Sequence, residues 1–256
     1  MSITEHQARQ AEDHIAYEGD VELDKWIDTS NHGFKITLRL TDRGQLDYFD
    51  GVMTMRKRRG GQRYQVILMD EIEVGRDHEL ALELWQTGIA EAMIVASMVD
   101  EPPEVTEAQM DEWVKDFNSW DLCDQVCMNL FEKTPFAWEK IREWAKCEQE
   151  FVKRAAFALI ACLAWHDKGA PDKKFIELIP IINDGATDER NFVKKAVSWA
   201  LRNIGKRNSN LNQLVLENTQ ILKVSESKTA RWIGSDTMRD ITSPAAKRRL
   251  TKEDSV

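Results

Sequence analysis

The chain has 256 residues, 42% of them hydrophobic and 31% charged, and its 44 acidic against 35 basic side chains give a formal net charge of −9. That is the balance of a soluble globular protein, long enough to bury one large core or a main core with a small second one. It excludes a spanning helix, because nowhere do about 18 apolar residues run together. The opening stretch MSITEHQARQAEDH holds no apolar run, so no signal peptide is expected and a cytoplasmic location follows.

In chain order, residues 1–70 differ from residues 71–250. FKITLRL (34–40) alternates strictly, with Phe34, Ile36, Leu38 and Leu40 on one side and Lys35, Thr37 and Arg39 on the other, which predicts a strand with one buried face. GVMTM and YQVILM flank RKRRGGQR (56–63) and predict a hairpin with a basic, glycine-bearing loop. A disordered basic linker is the alternative for 52–69, but Tyr64 to Met69 is too apolar for it. Three roles stand open for the loop: a DNA arm in which Arg56, Lys57, Arg58, Arg59 and Arg63 grip phosphate, a protein-partner module, or a solvated tip.

From about Asp77 the pattern turns to short helices separated by polar or proline breaks. The predicted helices cover 77–88, 89–99, 106–117, 121–132, 136–145, 149–166, 173–183, 189–205, 210–223 and 227–240. Thr106 reads as an N-cap, with Gln109 at the capping-box position. Helices of this length joined by short loops predict a mainly α chain: an α-solenoid of HEAT-like repeats over 71–250, with a small strand-containing segment over 1–70. Cys123, Cys127, Cys147 and Cys162 lie in helical-looking, largely apolar stretches and read as buried reduced thiols. Cys123 and Cys127 are a turn apart, yet no histidine pair at ligand spacing joins them, so no metal and no cofactor is expected.

Three helices place a residue against their own pattern. In VKKAVSWALRNIGKRN (193–208), Val193, Ala196, Val197, Ala200, Leu201 and Ile204 form one apolar stripe at roughly 100° per residue. Trp199 falls about 120° from its centre, among Lys195, Arg202 and Lys206. Between Asp188 and Arg249 there are thirteen Lys and Arg against six Asp and Glu, so that region carries +7 and the rest of the chain −16. The bland reading is a solvated helical face; the bias and the misplaced Trp together point to a surface for a polyanion.

In SWDLCDQVCMNLF (119–131), Trp120 and Asp124 share a face at i and i+4, with Cys127, Met128 and Phe131 around them. A carboxylate in such surroundings either finds a cation or has its charged form disfavoured. The plainer alternative is a helix-start carboxylate, a role that Asp121 fits better. In EFVKRAAFALIACLAW (150–165), an almost wholly apolar helix, Arg154 shares its face with Ala158, Ala161 and Trp165. Small neighbours leave room for the guanidinium to reach an anion; a buried ion pair, with Asp124 as the partner, is the other reading.

GRDHELALELW, WDLCD, FVKRAAFAL and DERNFVKKAVSWALRNIGKRN together resemble, over roughly residues 75–245, the DNA alkylation repair enzymes, the AlkD-type DNA glycosylases. That family's tryptophan and catalytic aspartate four residues later match Trp120 and Asp124. Its arginine in the following repeat matches Arg154, and its second tryptophan in a K-A-x-x-W-x-L-R helix matches Trp199. The resemblance implies a HEAT-like protein that removes N3- and N7-alkylated purines from double-stranded DNA, with no cofactor and without base flipping. The catalytic residues would be Asp124, Trp120 and Trp199, and Arg154, Lys195, Arg202, Lys206 and Arg207 would hold DNA.

The implied chemistry suits these residue types. A purine alkylated at N3 or N7 is cationic and leaves readily, so no acid is needed to protonate it. Its loss leaves an oxocarbenium-like sugar, which a carboxylate stabilises and indole faces favour by about 1–2 kcal/mol each where water is excluded. In place of the family's first helical repeat stands the strand-rich segment with RKRRGGQR, a possible partner module. A non-catalytic HEAT-like scaffold with a vestigial site, binding nucleic acid or protein, is therefore the second hypothesis.

Overall fold

The computed structural model describes residues 21–28, 33–40, 49–57, 64–68 and 76–253. Four strands, β1 (Val21–Asp28), β2 (Gly33–Leu40), β3 (Phe49–Lys57) and β4 (Tyr64–Leu68), form an antiparallel sheet in the order β1-β2-β3-β4. β3 pairs with β4 from Met53↔Leu68 to Lys57↔Tyr64. Arg58, Arg59 and Arg63 of the basic loop lie outside the described residues.

The helices are α1 (His78–Gln86), α2 (Ala90–Val99), α3 (Glu107–Trp113), α4 (Trp120–Asn129), α5 (Ala137–Trp144) and α6 (Glu150–His166). There follow α7 (Asp172–Ile176), α8 (Ile179–Gly185), α9 (Asn191–Ile204), α10 (Ser209–Lys223), α11 (Lys228–Ile241) and α12 (Pro244–Glu253). Their starts are chemically explicit. Asp77, Thr106, Ser119, Asn208 and Ser227 accept from the backbone N–H three residues on, satisfying a donor that the helix leaves free. Gln109 departs from the capping-box reading: its amide donates instead to Asp100, at 2.8 Å. The predicted helix 173–183 is broken into α7 and α8, because Pro180 lacks the N–H that a continuous helix would need there.

The helices stack in two layers. In one, α1, α3, α5, α7 with α8, and α10 follow each other. Trp85 stacks on Trp113 with ring centroids 3.8 Å apart, Trp144 donates to Asp111 at 2.9 Å, and Trp138 meets Phe175 edge-on. The buried Lys140 ammonium sits among Glu107, Asp111 and Glu143 at 2.7–2.8 Å; these hydrogen-bonded carboxylates overcome its desolvation and raise its pKa. In the other layer α2, α4, α6, α9 and α11 lie side by side. Here Asn129 reaches Ser97 at 3.1 Å, Asn203 donates to the Ala161 carbonyl at 2.9 Å and Ser198 donates to Asp236 at 2.8 Å. A single apolar core runs between the layers, with α6 buried along nearly its whole length. This is an α-solenoid of HEAT-like repeats. Among the described residues no helix is long and apolar enough to cross a membrane.

Candidate functional site

α9 shows why Trp199 breaks its pattern. Val193, Ala196, Val197, Ala200, Leu201 and Ile204 are all 0% exposed, filling the seam against α6. Trp199 lies off that stripe, half-buried, with one side on the core. It helps line a cleft with Met128, Ala161, Cys162, Trp165 and His166.

α4 and α6 bring two of the predicted residues into direct contact. Arg154 Nε donates to Asp124 Oδ1 at 3.0 Å and Nη2 to Oδ2 at 2.7 Å, a bidentate pair. Nη1 donates at 2.6 Å to the carbonyl of Phe192, in the first turn of α9. One guanidinium thus ties together three neighbouring helices of the layer. The Arg154 side chain is 6% exposed and the Asp124 side chain 14%, so the carboxylate is the solvent-facing member. Of the two readings open for Arg154, an external anion and a buried pair with Asp124, the pair is formed, and three of the five guanidinium N–H donors are used within the protein. Burial pushes the Asp124 carboxyl up from the usual carboxylate value, while the Arg154 charge pulls it back. Burial works against the Arg154 charge in turn, and Asp124 outweighs it. A guanidinium does not give up its proton, and an ionised bidentate partner keeps the carboxylate charged. Trp120 sits one turn before Asp124, half-buried on the same helix face. The site also borders a set of free thiols, with Cys123, Cys127 and Cys162 all buried.

The expected phosphate contacts divide. Lys195 is exposed on α9. Arg202 and Lys206 are half-buried and engage Asp240 of α11 at 3.3 and 3.0 Å, with Asp236 4.0 Å from Arg202. Their charge is partly met within the protein. Asp236 and Asp240, one turn apart on a single helix, were a legible signal for this pairing that the sequence reading passed over. Arg207 is a correction: it is 9% exposed, not on the surface. It donates to the carbonyls of Ala164 at 2.9 Å and Ala170 at 3.1 Å, and stacks on Phe175 at 4.3 Å. The end of α6 leaves carbonyls without helical partners, and a guanidinium meets them. The sequence reading also missed the role of the Phe192 carbonyl, which no side-chain pattern announces.

A solved structure described as "a new family of proteins related to the HEAT-like repeat DNA glycosylases with affinity for branched DNA structures" is similar in fold. It has a TM-score of 0.56 and 18% identity, over 70% of this chain and 77% of that one. A designed armadillo repeat protein in complex with a (KR)4 peptide matches over 71% of this chain and 77% of its own, at 16% identity and a TM-score of only 0.34. No curated protein matches the chain. The model of the DNA alkylation repair enzymes matches residues 56–240, beginning within β3 and taking in every helix that supplies the site. By that match the chain belongs to the DNA alkylation repair enzyme family.

Proposed function

We propose that this protein hydrolyses the N-glycosidic bond of cationic N3- or N7-alkylated purines in double-stranded DNA, without extruding the lesion into a deep pocket. The observation that carries the reading is the Asp124 carboxylate, fixed by Arg154 through both oxygens with its side chain 14% exposed. Each carboxylate oxygen accepts one bond from Arg154 and retains a second lone pair. As the cationic base departs with the bonding electrons, positive charge grows on the deoxyribose. A prepositioned carboxylate stabilises that charge and orients the attacking water. Trp120 and Trp199 offer electron-rich faces to the same sugar. Lys195, and the outward parts of Arg202 and Lys206, contribute phosphate contacts that set register without reading sequence. Arg154 is a positioning residue in this scheme.

The test is release of methylated purine from alkylated duplex DNA. Asp124→Asn keeps the side chain's shape but removes its charge, so excision should fall by roughly two to three orders of magnitude. Binding to undamaged DNA should hold or tighten. Trp199→Ala should lower both. An Asp124→Asn protein that excises at the original rate makes Asp124 structural.

The bidentate pair itself favours a second reading. An Asp124 charge already matched by Arg154 has less to offer a cationic sugar, and the fold relative is described by affinity for branched DNA. In that reading the protein binds DNA without cleaving a glycosidic bond, and the same assay shows no purine release from the unaltered chain.

A further inference from the structure

α6 ends in two aromatic residues that the proposed reaction does not use. Trp165 is 50% exposed, at the end of a helix buried from Arg154 to Ala164. With Met128, Ala161, Cys162, His166 and Trp199 it surrounds a cleft of about 80 Å³ that opens to solvent. That volume lies well below the usual range for ligand pockets, so the cleft is a shallow seat that takes one flat ring laid on an indole face rather than a length of chain. Its walls are two indoles, a thioether, a thiol and a methyl group, and its polar member is His166.

His166 is held in a particular way. Its Nδ1 lies 2.7 and 2.9 Å from the two oxygens of Glu132, in the turn that follows α4. The Glu132 side chain is 5% exposed and that of His166 43%. A buried carboxylate therefore fixes an exposed imidazole and turns Nε2 away from itself. Burial raises the Glu132 pKa, with the imidazole opposing the shift; a carboxyl so placed depends on its ring partner. α12 brings the Arg249 guanidinium to 5.6 Å from the Trp165 ring. Flat aromatic walls with a cation beside one of them match a base and its phosphate, the pattern by which unpaired nucleotides are held. Residues 188–249, which supply Trp199 and Arg249, carry a net +7 that draws the same polyanion.

We infer that the cleft between Trp165 and Trp199 binds one unpaired nucleotide of the DNA, its base on the indole faces and its phosphate beside Arg249 and His166. This rests on the DNA-binding reading above and extends it to a subsite beyond Asp124. Because every base has a flat face, the subsite has no base preference. It gives the protein a preference for DNA with an unpaired position over a fully paired duplex.

The experiment uses the full chain and two duplexes, one with a single bulged 2-aminopurine and one fully paired around the same probe. The expected result is about tenfold tighter binding to the bulged duplex, the lower part of what one base–aromatic stack supplies, with quenching of the probe. Trp165→Ala removes the preference while paired-duplex affinity stays the same, and Trp165→Phe, which still offers a flat face, retains it. Equal affinity for the two duplexes with undimmed probe emission overturns the subsite and leaves DNA binding standing. A preference of unchanged size in Trp165→Ala also overturns it. Failure to bind either duplex overturns the DNA-binding reading together with the subsite.

Discussion

Arg154 and Asp124 meet through two hydrogen bonds, at 3.0 and 2.7 Å, across the α4–α6 seam, and the third arm of the guanidinium ends on the Phe192 carbonyl of α9. In the proposed reaction an arginine so committed acts through the carboxylate it holds. Replacing it by glutamine should lower excision roughly ten- to hundredfold, the usual penalty for a misplaced catalytic group. It should also cost about 2–4 kcal/mol of stability by leaving a mostly buried carboxylate without its partner. The salt dependence of DNA binding should not change. A salt slope smaller by about one unit in Arg154→Gln would make it a phosphate contact instead.

The α9 cations should not be equivalent. Lys195 is exposed, whereas Arg202 and Lys206 share Asp240. Lys195→Glu should flatten the slope of log K against log salt by about one unit, and the same reversal at Arg202 or Lys206 should do less. Asp240→Asn should release both cations and steepen the slope. Binding titrations at several salt concentrations decide this, and equal effects at all three positions would contradict the pairing.

Arg207→Ala should be a stability variant. Loss of its bonds to Ala164 and Ala170 and of its stacking on Phe175 should cost about 2–4 kcal/mol, read as a lower denaturation midpoint. DNA affinity of the folded variant should be unaltered. A weakened affinity with normal stability would return Arg207 to the DNA surface.

Acid sensitivity should come in part from Asp188. Its carboxylate accepts from the Arg190 side chain and backbone and lies 3.4 Å from Lys153, just before α9. These contacts, the Arg190 side chain foremost, hold its pKa below the usual carboxylate value. A depressed folded-state pKa means that the contribution is present above the ordinary carboxylate range and is lost as pH falls through the lowered value. Urea midpoints of Asp188→Asn should therefore fall below the parent's near neutrality and converge with it in strong acid. A constant gap at every pH would show that the charge is not what stabilises.

Much of the helical architecture was legible because helix signals are local. Apolar residues three and four apart predicted α9 and its buried stripe. Thr106 marks a helix start through a bond from the backbone N–H of Gln109, three positions on. Trp199 was conspicuous for the same reason, since a single helix turn suffices to show that it lies off the stripe. α12 escaped because PAAKRRLTKE offers too few apolar residues to form a stripe, and the break between α7 and α8 rested on one proline.

What the tertiary structure alone decided is where each charge finds its partner. Arg154 and Asp124 are 30 residues apart in sequence, Arg202 and Asp240 38. Arg207 reads like any surface cation until the end of α6 is brought against it. Side-chain periodicity tells which face of a helix is dry, because burial follows from the helix's own geometry. A charge buried at a seam is stable only with a partner of suitable geometry, and which neighbouring helix supplies it depends on how the two layers stack. The candidate residues of α4, α6 and α9 were therefore visible in the sequence, but which of them stay partly exposed, as Asp124 does, and which are withdrawn, as Arg154 and Arg207 are, was set by packing.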